Sequence, residues 1–186
     1  MNTSLQVSAE NDCASFLKNL QSMGVLVGDF YLLLGRAWEA PAQKPFEYRM
    51  GPKKQCYRNA CLLAQEHPEL VYCEGFACAP GLFAMHHAWC VTATGLVVDP
   101  TWDASSAQYY GVALQHEFVL ERVDASQHWG VLGDRISSDI ARMPASAIIH
   151  PDWQNSIEDQ LAWRDLVQSK LGPSTPEPSP ELPPQE

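Results

Sequence analysis

"HHAWCVTATGLVVDPTWD", residues 86–103, is the stretch on which the reading of this chain turns. Two apolar runs, 86–93 and 96–102, flank Thr94-Gly95, a pair suited to a tight turn between antiparallel strands. Side chains alternate along a strand, so His87, Trp89 and Val91 share one face, His86, Ala88 and Cys90 share the other, and Val97 lies with Asp99. The two adjacent histidines must therefore point in opposite directions. His87 stands seven residues before Thr94 and Asp99 four after Gly95, so a two-residue hairpin does not place them directly opposite. Their meeting requires a longer loop, a bulge or a diagonal contact. If they meet, the carboxylate can hold the imidazole in one tautomer, as a base that activates a nucleophile requires.

The nucleophile is sought upstream. "QCYRNACLLAQEHP", residues 55–68, places small or apolar residues at 56, 60, 61, 63 and 64 and stops at Pro68. That pattern predicts a helix of about three turns with Cys56 at its N-terminus. A thiol there, beside an imidazole, loses its proton more readily than an ordinary cysteine. Lys53 and Lys54 just before it either add positive charge near a thiolate or belong to a solvated loop, and both readings stay open.

Around this centre, "CASFLKNLQSMGVLV" (13–27) carries Phe16, Leu17, Leu20 and Met23 at helical intervals and predicts a first helix ending near Gly24. "GDFYLLLGRAWEA" (28–40) is an apolar block that periodicity does not resolve, and the prolines of 41–55 make that segment a loop. "LVYCEGFACA" (70–79) reads as a strand broken by Pro80-Gly81, and "HEFVLERV" (116–123) as a fourth strand. "SSDIARM" (137–143) predicts a short helix. "NSIEDQLAWRDLVQSKLG" (155–172) predicts an amphipathic helix capped by Asn155, closed by Gly172, with Ile157, Leu161, Leu166 and Leu171 available to dock.

With 186 residues and 46% hydrophobic residues, the expectation is one globular domain over 12–172, between a flexible N-terminus at 1–11 and a disordered, Pro-rich acidic tail at 173–186. A formal charge of -10 makes nucleic acid and anionic membrane surfaces poor partners. Neither a signal peptide nor a spanning segment is legible, which predicts a cytoplasmic protein with its six cysteines as free thiols. Cys61, Cys73, Cys78 and Cys90 read as small core residues and Cys13 as filler on the first helix. His116, His128 and His150 have no partner pattern.

The pattern His-Ala-Trp, a short hairpin, then an apolar strand ending in Asp-Pro-Thr resembles the histidine and aspartate strands of the transglutaminase-like superfamily, and "QCYRNACLL" resembles its nucleophile helix. The order Cys, His, Asp with spacings of 31 and 12 is similar to that of short members such as the lasso-peptide leader peptidases. The likeness covers residues 53–103. It implies an α+β, papain-like fold in which the nucleophile helix packs on an antiparallel sheet of at least three strands with flanking helices. It implies Cys56 as nucleophile, His87 as general base and acid, and Asp99 as the orienting carboxylate. The implied activity is acyl chemistry on an amide, of peptidase, deamidase or transglutaminase type, on a protein or peptide substrate and without a cofactor. An oxyanion would take the backbone N–H of Cys56 and one further donor, for which Gln55 is a candidate. Trp89 and Trp102 either line an acyl-binding cleft or pack the sheet.

Two other readings compete. An inactive binding or inhibitory module could keep the same fold. A zinc-stabilised interaction domain could use Cys73, Cys78, His86 and Cys90, although their spacing lacks the paired Cys-x-x-Cys of specific zinc sites.

Overall fold

A computed structural model describes residues 12–41, 48–79, 83–102, 107–133 and 136–173. The N-terminus 1–11 and the tail from 174 onward, expected to be flexible, lie outside the described residues, as does the Pro80-Gly81 break.

The chain is α+β, built on a five-stranded sheet in the order β1-β5-β2-β3-β4 with every neighbour antiparallel. The strands are β1 (Arg36–Trp38), β2 (Val71–Cys78), β3 (Met85–Val91), β4 (Val97–Val98) and β5 (Gln108–Ala113). Helix α1 (Cys13–Ser22) begins where the Asp12 carboxylate accepts the Ser15 N–H at 2.6 Å, and gives way to Gly24 at φ 75°. The unresolved apolar block splits into α2 (Leu26–Leu34) and β1. Its helix hides its period because Val27, Gly28, Asp29, Phe30, Tyr31 and Leu34 are all buried, so no polar face marks it.

Helix α3 (Cys56–Glu66) matches expectation and lies on one face of the sheet, burying Ala60, Cys61, Leu63 and Ala64. The Cys90 thiol donates to Ala60 O at 3.3 Å from the strand beneath it. Alternation along β2 and β3 sends Tyr72, Phe76, Cys78, Ala88 and Cys90 to this helical face. Cys73, Ala77, Trp89 and Val91 go to the opposite face, where Trp38, Val97 and Tyr109 complete a smaller core.

Two expectations are corrected downstream. Residues 116–123 belong not to a strand but to helix α4 (His116–Ser126), docked through Phe118 and Val119. The fourth full strand is instead β5, between β1 and β2, whose second half, 111–113, is buried throughout and so shows no alternation. Helices α5 (Ser138–Arg142) and α6 (Ala145–Ile148) and a 3-10 turn at Pro151–Trp153 lead to α7 (Ile157–Leu171). Ser156, not Asn155, caps α7 by accepting the Asp159 N–H, while the Asn155 amide donates to Leu33 O of α2. Trp163 and Val167 are the buried residues of α7, with Trp163 edge-on to Phe30, and of the four expected to dock Leu166 packs half-buried against the core. Ile157 remains 76% exposed. No helix among the described residues is long and apolar enough to cross a membrane.

Cys13 is buried on α1 with its sulfur 2.6 Å from that of Cys78 at the end of β2. Glu74, fully buried in mid-sheet, accepts Tyr72 Oη (2.7 Å), Val131 N (2.7 Å) and Leu132 N (2.9 Å). Burial raises its carboxyl above the usual range against those donors. Replacing Glu74 by Ala strands three buried donors, so Glu74→Ala should lower stability by about 3 kcal/mol, measured as a reduced urea midpoint.

Candidate active site

The nucleophile candidate sits where α3 meets the edge of β3. Strand β4 pairs only with Cys90 and Val91, leaving the first part of β3 without a partner on that side among the described residues. The backbone N–H groups of Ala88 there and of Tyr57 in the first helical turn act on the Cys56 sulfur and help lower its thiol. Standing at an edge rather than over a face, the thiol can reach a side chain on the side of the sheet away from its own helix. That side chain is His87.

His87 and Asp99 meet as a diagonal pair. The hairpin closes through a tight turn, Gly95 N donating to Thr92 O and Thr92 N to Leu96 O, with Cys90 opposite Val98. Carrying that register one residue further sets Asp99 across from Trp89, two positions from His87 on the same face. His87 Nε2 and Asp99 Oδ2 are 2.7 Å apart, and both residues are buried. The remaining ring nitrogen, Nδ1, is left for Cys56. Asp99 is held from three further directions: Oδ1 accepts Thr101 N (2.7 Å) and Trp102 N (2.9 Å), and Oδ2 also accepts Tyr109 Oη (2.9 Å) from β5.

Burial and pairing oppose each other at both reactive groups. Burial alone pushes the Cys56 thiol up, but the adjacent imidazole and the Ala88 and Tyr57 N–H groups outweigh it and bring it below its ordinary value. Burial alone would discharge His87, but Asp99 and Cys56 raise it to about 9. The arrangement therefore favours a thiolate–imidazolium pair. At the other five cysteines burial prevails and the thiol is raised, to about 11 at Cys61.

The expected residues divide as follows. Trp102 stacks on the His87 ring at 4.1 Å and 23°, while Trp89 is fully buried at 6.3 Å from that ring and packs the sheet against Tyr109. Gln55 is exposed at the N-cap of α3, and its side-chain Oε1 accepts Arg58 Nη1 at 3.1 Å. His86 points to the helical face, where Nδ1 lies 2.5 Å from Tyr57 Oη. The zinc reading loses its geometry: Cys73 occupies one face of the sheet, and Cys78, His86 and Cys90 the other.

Sequence reasoning missed two side chains. Tyr109 lies on the strand that periodicity left unassigned. Asn59, one turn into α3, donates to Pro52 O (2.7 Å) and Thr101 Oγ1 (2.9 Å), joining the loop before Cys56 to the turn after Asp99. A Cβ at Gly51 would come 2.2 Å from Asn59 Cγ, so that loop needs its glycine. Gly51 N in turn donates to Pro100 O at 2.7 Å. A buried Asn on the apolar side of a helix was the one available signal.

Comparison with models of known families, with curated proteins and with solved structures finds no match to this chain.

Removing the charge from Asp99 tests the electrostatics. In Asp99→Asn the imidazole loses the group that does most to hold its proton, and its titration should fall from about 9 toward the ordinary 6.5, followed by NMR of the His87 ring.

Proposed function

We propose that this protein is a cysteine-dependent hydrolase of amide bonds, with a papain-like, transglutaminase-like core and Cys56, His87 and Asp99 as its catalytic triad. The observation that carries the reading is the buried contact of His87 Nε2 with Asp99 Oδ2 at 2.7 Å, with an imidazole that also acts on the Cys56 thiol and lowers it. A thiol lowered by its imidazole partner, within a set of five raised ones, is the second support.

In this reading the Cys56 thiolate attacks the amide carbon while His87 holds the proton. The tetrahedral oxyanion takes backbone N–H donors at the start of α3. As the carbon–nitrogen bond breaks, His87 Nδ1 delivers its proton to the leaving amine and leaves a thioester on Cys56. Water, deprotonated by the now neutral imidazole, attacks the thioester carbon and releases the carboxylic acid and the thiol. Asp99 fixes the ring through both steps and stabilises its charged form. Trp102, stacked on the ring, keeps bulk water from that face. A peptide backbone or a glutamine side chain supplies the amide. An amine in place of water would make the same thioester a transferase intermediate.

The pH dependence follows from the two shifts. Thiolate is lost as pH falls through the lowered Cys56 value, and the proton for the leaving amine is lost as pH rises through about 9. Alkylation by stoichiometric iodoacetamide at pH 6 to 7, read by peptide mass, should fall on Cys56 ahead of the other five thiols. In His87→Ala it should slow by about one to two orders of magnitude and move to alkaline pH, while Cys56→Ala should abolish the selective label. Reaction at Cys56 no faster than elsewhere, unchanged by His87→Ala, would sink the proposal.

A further inference from the structure

Five cysteines lie outside the candidate active site, and their surroundings differ. Cys61 accepts Gln65 Nε2 at 3.7 Å, while Cys73 and Cys90 donate to backbone carbonyls, Val71 O at 3.8 Å and Ala60 O at 3.3 Å. Among the described residues the one sulfur-to-sulfur contact is between Cys13 and Cys78, at 2.6 Å. That is closer than the roughly 3.5 Å at which even carbon atoms rest in van der Waals contact, and sulfur is the larger atom. The two residues are 65 apart in sequence, the first of α1 and the last of β2.

The fold aims them at each other. The Asp12 cap starts α1 at Cys13, whose sulfur also lies 3.5 Å from Phe76 O of β2 and 3.5 Å from Gln108 O of β5, the residue opposite Cys78 in the ladder. Each thiol stands at the end of its element, where local opening costs least. Cys13 also borders a cavity of about 460 Å³ lined by Trp38, Ala107 and Tyr109, which gives a small reagent a way to the pair. Neither sulfur has the imidazole that acts on Cys56, so the pair is not a second nucleophilic centre. Its chemistry lies in the contact between the two thiols.

We propose that Cys13 and Cys78 form an oxidation site, a dithiol that a low-molecular-weight disulfide such as oxidised glutathione converts into a covalent bridge between α1 and β2. The Cys78 thiolate attacks one sulfur of the reagent and expels the other half, which takes up the proton that Cys78 gave. Cys13 then loses its proton and attacks the Cys78 sulfur of the mixed disulfide, expelling the second half as a thiol. One reagent disulfide is reduced to two thiols as two protein thiols become one bridge. Cys78 leads because the hydrogen bond from Cys13 favours its thiolate, whereas the same contact keeps Cys13 protonated. The bridge closes a loop that holds α2, β1 and α3, and so restricts the unfolded chain. The inference stands apart from the chemistry proposed for Cys56.

The full chain, purified reduced, is equilibrated in glutathione buffers of rising oxidised fraction, quenched in acid, alkylated in denaturant and digested without reduction for peptide mass. The expected product is a linked Cys13–Cys78 peptide, lighter by two hydrogen atoms than the two thiol peptides, with Cys61, Cys73 and Cys90 still alkylated. A mixed disulfide at Cys56 has its own mass and bears only on that thiol. Oxidation should raise the Tm of the parent by about 10 °C, reversed by reductant, and leave the Tm of Cys78→Ala unmoved. The same oxidation in urea should scatter the pairing among the cysteines, because the fold that selects the pair is gone. Cys13 and Cys78 remaining thiols in the most oxidising buffer, or each ending in a mixed disulfide with glutathione, overturns the proposal. So does a pairing no more selective in the native chain than in urea.

Discussion

The Asp99 carboxylate is the group on which the site depends. A buried carboxylate is tolerated where donors answer its charge, and here four do so, from β3, from the turn after β4 and from β5. Because the donors come from separate elements, the hairpin, the turn and the far strand must all be in place before the charge is satisfied. The same carboxylate supports the protonated His87 ring, and through it the lowered Cys56 thiol. Fold and chemistry share one acceptor.

The alternation of β3 does the sorting. Two neighbouring histidines leave the strand in opposite directions, one to Asp99 and one to Tyr57, which follows Cys56 on α3. That division was legible in the sequence, as were the helix headed by Cys56 and the fact that His87 and Asp99 do not stand directly opposite, because each follows from a short-range period and a turn; which of a longer loop, a bulge or a diagonal contact joins them was not. What was not legible depends on tertiary surroundings. The second half of strand β5 is buried throughout, α2 has no polar face to mark its period, and α4 was misread because eight residues of mixed apolar and charged character fit either period. Tyr109 and Asn59 were missed for the same reason: their partners are distant in sequence, and no local pattern names them. The docking of α7 through Trp163 was likewise decided by the fit against Phe30.

The buried ionisable groups show how one physical effect yields different results. Burial acts on Glu74, on His87 and on every cysteine, always against the charged form. At Glu74 it prevails over three hydrogen bonds, and the group serves to pin residues 131 and 132 to the sheet. At Cys61, Cys73 and Cys90 it prevails outright. At Cys56 and His87 it is overcome because each supplies the other's counter-charge and Asp99 stands behind the pair. The difference lies in the neighbours.

The order of the strands also sets a sequence of assembly. The contact of His87 with Asp99 spans 12 residues, and a short hairpin can form it early, whereas β1 pairs with β5 from Arg36 to Gly111 and closes a much longer loop. Tyr109, 10 residues from Asp99 in sequence, also meets it over a short loop. An unfolded chain therefore carries six ordinary thiols, mostly protonated at neutral pH. Completion of the sheet separates them, masking five and sharpening one. In the proposed function, reactivity at Cys56 is thus conferred by folding itself, and a nascent or damaged chain would carry no armed nucleophile.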